Sequence, residues 1–83
     1  MSIDEMKKKI LELLNSCALS GFNPNAMEHL IKDVVQADED LRSTVAFENY
    51  TWKFSKFSGK SYAINARFRM RDTREAFDVE FFV

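Results

Sequence analysis

Two periodicities divide the chain. Near its start, apolar residues return every three or four positions, as Ile3, Met6, Ile10, Leu13, Leu14 and Cys17, and then as Met27, Leu30, Ile31, Val34 and Val35. That spacing gathers each set into one stripe on a helix. After Tyr50 the interval falls to two: Tyr50, Trp52 and Phe54; then Tyr62, Ile64, Ala66, Phe68 and Met70; then Phe77, Val79, Phe81 and Val83. Alternation rich in aromatic and β-branched residues belongs to strands with one buried face.

Local signals bound these elements. Ser2 with Glu5 has the form of a capping box. Gly21 suits the left-handed position after a first helix, with Phe22 as the apolar contact beyond it. The second helix starts either from Asn23 as cap with Pro24 at its first position, or from Asn25 with Glu28. The helices are predicted over about 2–20 and 24–40. Leu41 rejoins the second stripe if that helix runs through Asp38-Glu39-Asp40. Those acids are read as its fraying end or the loop beyond, where they oppose the negative end of the helix dipole.

Strands are predicted over about 44–56, 60–71 and 75–83. A hairpin with Gly59 in the left-handed position and Lys56 facing Lys60 sets Phe54 opposite Tyr62, Trp52 opposite Ile64 and Tyr50 opposite Ala66. A four-residue turn over Arg71–Arg74, with Met70 facing Glu75, sets Phe68 opposite Phe77, Ala66 opposite Val79, Ile64 opposite Phe81 and Tyr62 opposite Val83. Both turns place one apolar set on one face, and a one-residue slip in either would mix the faces. Val45 and Phe47 are out of step with this set. A bulge near Glu48-Asn49 restores them to the core, and the other outcome is an exposed apolar patch. The bulge is favoured. The fold expected is therefore α+β in two layers, a helical hairpin packed on one face of a three-stranded antiparallel meander (ααβββ), as one domain over residues 1–83. All the alternating rings, Trp52 and Phe54 included, are expected in its core.

With 83 residues, 46% hydrophobic and 30% charged, the composition is that of a globular protein. No apolar run approaches the ~20 residues of a bilayer span. The acidic start, Asp4-Glu5, is unlike a signal peptide, and a single cysteine forms no internal disulfide, so a cytoplasmic protein is expected. Net charge is −1 but unevenly spread. Residues 1–41 hold eight acids and four lysines, and residues 42–83 hold eight bases and five acids.

Catalytic chemistry finds little support. His29 falls on the polar side of the second helix and Cys17 on the buried stripe of the first, which separates the only such pair. The two glycines form no phosphate loop, and neither a zinc ligand set nor an EF-hand run is present, so no cofactor or metal is implied. The Lys7-Lys8-Lys9 run reads as a solvated helix face. Asp78 and Glu80 lie opposite Arg67 and Asn65, which makes them cross-strand partners before a catalytic pair.

Two surfaces stand out. Lys53, Arg67, Arg69, Arg71 and Arg74 are placed on or around the solvent side of the sheet, as candidates for binding a partner or phosphates. The third strand, with Phe77, Val79, Phe81, Phe82 and Val83, is an edge without proline or lysine. Such an edge invites pairing with another strand, and a homodimer through it is expected. In size and composition the chain resembles the small accessory proteins of bacteria and phages that bind and regulate another macromolecule. The function expected is a non-enzymatic interaction protein, an inhibitor or adaptor binding a protein partner by the basic face or free edge. The alternative is an RNA- or DNA-binding regulator whose arginines contact phosphates.

Overall fold

The computed structural model describes residues 2–16, 23–57 and 59–83, except for the side chains of Pro24, Asn25, Phe57 and Lys60. The expectations for Cys17 and for the Gly21-Phe22 helix end lie outside the described residues. Helix α1 spans Ile3–Ser16 and α2 spans Pro24–Ala37. A short helix α3, Glu39–Thr44, leads into strands β1 (Val45–Phe57), β2 (Lys60–Met70) and β3 (Ala76–Phe82). The strands form one antiparallel sheet in the order β1-β2-β3, with α1 packed on β3 and α2 on β1.

The helix starts follow their sequence signals. The Glu5 amide donates to the Ser2 hydroxyl (3.2 Å), and that hydroxyl donates to the Glu5 carboxylate (3.3 Å). Asn23 precedes α2, its side-chain oxygen facing the Ala26 amide, so the pairing of Asn23 with Pro24 is the one used.

The reading of Asp38-Glu39-Asp40 as the end of α2 is corrected. Asp38 is extended (φ −112°, ψ 122°) and accepts from the Leu41 amide at 3.1 Å, which makes it the N-cap of a new helix. Glu39 and Asp40 then occupy the first turn of α3, where the dipole favours them. Lys9 reaches across from α1 to Asp38 (3.2 Å) and Asp40 (2.9 Å). Its ammonium is held above its ordinary pKa mainly by Asp40, and Asp38 is held below the usual carboxylate range mainly by the Leu41 amide. Arg42 donates to the Gln36 carbonyl (3.1 Å), closing the end of α2. Lys9 is thus a bridge between two helices as well as part of a solvated face.

The second turn and its register stand as read, with Arg67 opposite Asp78, Phe68 opposite Phe77 and Ile64 opposite Phe81. Met70 donates to Glu75, and Val83 exchanges hydrogen bonds with Tyr62. Arg74 takes a left-handed conformation (φ 63°) that the sequence did not flag. The bulge is also present: pairing shifts between Phe47 and Asn49, which leaves Glu48 as the extra residue. Val45 is fully buried, and Phe47 packs against Phe68 with ring centroids 5.6 Å apart.

The first hairpin closes differently from the expectation. Phe57, not Lys56, lies opposite Lys60, and a second shift between Phe54 and Phe57 restores Phe54 to Tyr62. Gly59 has the expected positive φ of 79°.

The core joins Met6, Ile10 and Leu14 of α1, Met27, Ile31, Val34 and Val35 of α2, and Leu41 of α3 to the inner face of the sheet. It does not extend to the end of the hairpin. Trp52 is 42% exposed and Phe54 is 75% exposed. Their expected burial is corrected, and lengths explain why. Fourteen residues of α2 rise ~21 Å, whereas thirteen residues of β1 run ~43 Å. The apolar alternation of β1 continues after the helix layer has ended.

Candidate functional site

The residues proposed from sequence separate once placed. Arg67 donates to Asp78 directly across the strands, at 3.0 and 3.4 Å. The pair raises the arginine's pKa and lowers that of the carboxylate. Arg69 donates to Glu48, the bulged residue, at 2.9 Å and also to the Arg74 carbonyl. Arg71 donates to the Arg42 carbonyl at 3.2 Å, joining the sheet to α3. Lys53 pairs with Ala63, six residues along β2 from Arg69. At the rise of a strand this is roughly 20 Å. No single basic patch results. Two of the four arginines are answered by acids, and Lys53 stands apart near the other end.

The edge residues are placed just as plainly. Phe77, Val79 and Phe81 are 6%, 2% and 3% exposed and belong to the core. They hold β3 to the body and present no side chain to a partner. Phe82 and Val83 are half-buried, and β3 remains an outer strand of the sheet.

The surface that sequence reasoning missed lies at the far end of the β1–β2 hairpin. Trp52, Phe54 and Tyr62 form a cluster on the helix-bearing side of the sheet, beyond the helices' reach. Centroids are 5.5 Å apart for Trp52–Phe54 and 5.7 Å for Trp52–Tyr62, both edge to face, and 5.3 Å for Phe54–Tyr62. Edge-to-face contact lets rings support one another while leaving ring surface for a further partner. Thr51, Lys53, Lys56 and Ser61 around them are exposed. Thr51, Trp52, Lys53, Ala63, Asn65 and Glu80 line a shallow hollow of about 240 Å³ beside it.

Charge singles out the same place. Residues 51–62 contain Lys53, Lys56 and Lys60 and no acid, whereas the remaining residues hold nine bases and thirteen acids, a net of −4. A comparison of strand length with helix length would have found the bare rings, because even a helix over 24–40 is shorter than a strand over 44–56.

Among the described residues, no three side chains of His, Cys, Asp or Glu gather as metal ligands, and His29 is exposed. No described helix is long and apolar enough to cross a membrane. No family model matches the chain, and neither a curated protein nor a solved structure does so.

Proposed function

We propose that this is a small non-enzymatic binding protein of the cytoplasm, an inhibitor or adaptor kind of regulator, that holds an anionic macromolecule with the end of its β1–β2 hairpin. One observation carries the reading: the stretch with exposed Trp52 and Phe54 is also the stretch with three lysines and no acid. A cationic tip on an acidic body orients the molecule toward a polyanion and keeps the body away from it. The sheet arginines contribute less, since Arg67 and Arg69 already face carboxylates.

Retention on a heparin column tests this. At low salt the protein is expected to bind despite its net charge of −1 and to elute as salt rises. Lys53→Glu with Lys56→Glu, both at exposed positions, is expected to flow through. Flow-through of the unaltered protein ends the proposal.

The second reading is self-pairing of β3 across a two-fold axis, favoured by the position of β3 at the rim of the sheet. Light scattering at high micromolar concentration decides it. A dimer is expected on this reading, and a monomer disposes of it.

A further inference from the structure

We propose that the polyanion is single-stranded nucleic acid, with bases stacking on Phe54 and Trp52 and phosphates meeting Lys53 and Lys56. The inference rests on the reading above and adds the ligand. Lysines alone would suffice for an acidic protein surface and give no reason for bare rings. Rings with lysines suit a strand whose bases are unstacked and whose backbone carries a charge at each residue. The hydroxyls of Thr51 and Ser61, both exposed, add donors of the kind that contact phosphate oxygens.

Area argues in the same direction. Trp52 and Phe54, at 42% and 75% exposure, offer roughly 200–300 Å² of ring surface between them. A stable protein interface needs about 800 Å² from each partner. Two bare rings fall short of that but match a few stacked bases. A second copy is also a poor occupant of this site, because two tips with three lysines each would repel. Trp52 and Lys53 line the same hollow at the outer strand β1, so the rings and Lys53 border one another there, and Glu80 bounds the contact surface on the far side of that hollow.

The experiment uses the whole protein and a fluorescein-labelled oligothymidylate of about 15 nucleotides, within the span of one small single-strand binding domain. Trp52 is the chain's one tryptophan, so its fluorescence reports on the site alone. Expected are saturable binding by anisotropy, quenching of Trp52, and a log–log salt slope of about −1.4 to −2.1 for two or three phosphate contacts. Phe54→Ala is expected to weaken binding roughly five- to hundredfold while leaving that slope in place. Lys53→Gln with Lys56→Gln is expected to flatten it.

The inference is overturned if Trp52 is not quenched, if the duplex form of the oligonucleotide binds as tightly, or if Phe54→Ala binds as the unaltered protein does. It is also overturned if polyglutamate or phosphatidylserine vesicles bind in place of the strand. Heparin retention without strand binding leaves the polyanion reading standing and ends only this inference, whereas loss of both ends both.

Discussion

Phe68→Ala is expected to destabilise the protein by about 3–5 kcal/mol, the range for removing a buried phenylalanine. Phe68 is fully buried at the centre of β2, where its ring contacts Phe47 on one neighbouring strand and Phe77 on the other, at 5.6 and 5.7 Å. Among the described residues no polar or charged side chain is buried, and three strands plus the helices above them fix the walls of the gap. At roughly 0.05–0.15 kcal/mol per residue, a domain of 83 residues holds about 4–12 kcal/mol in all. The loss therefore takes a large share of total stability. Urea denaturation followed by circular dichroism measures it. Phe54→Ala serves as the control, with an expected change under about 1 kcal/mol, because that ring is three-quarters exposed. Equal losses at the two positions would contradict the placement of the core.

Deleting Ala46 is expected to cost about 1.5–3 kcal/mol through a different cause. Glu48 is the extra residue that lets Val45 and Phe47 share a face with Tyr50. With Ala46 gone, Val45 and Phe47 become neighbours in the chain, so one of them must leave the core face whether or not the bulge persists. Turning Val45 outward forfeits about 1.5–3 kcal/mol of burial, and turning Phe47 outward takes it from Phe68. The thermal midpoint is expected to fall steeply. Deleting Glu48 is the contrast. It removes the bulge and joins the two runs in strict alternation, with Val45, Phe47, Tyr50 and Trp52 still on one face. It loses only an exposed pair with Arg69, worth under about 1 kcal/mol. Equal midpoints for the two deletion variants would show that Glu48 is not the residue that shifts the register.

The contrast shows what the sequence makes legible. Parity was enough to find the bulge, since Val45 and Phe47 fall on the wrong count from Tyr50. The Arg71–Arg74 turn was readable because only one loop length aligns Phe68, Ala66 and Ile64 with their apolar partners. The first hairpin was harder. Its alternation is satisfied whether the extra residue sits in the turn or between Phe54 and Phe57, and the structure uses the second place. Helix α3 was hidden because Leu41 continues the three-and-four spacing of α2, so the stripe runs past a break made by the Asp38 cap. The exposed rings escaped notice because alternation tells which face a residue takes and says nothing of what covers that face. The candidate site was legible only in part. Lys53 and the surplus of basic residues point toward it, whereas the arginines point to the other end of the sheet, where Glu48 and Asp78 pair with Arg69 and Arg67.

The short ribbon past Tyr62 has a further consequence. Two strands hold each other there without helices above them, so this end can open or change its residues while the body stays folded. Opening it leaves Ile64, Phe68 and Val79 untouched in their places. Amide protons on one and the same strand should therefore belong to two populations, quickly exchanged at Lys60, beyond the Ser61–Val83 hydrogen bond, and long protected near Phe68. The exposed residues of the tip and the residues that hold the domain together are separate sets, and selection can act on either alone.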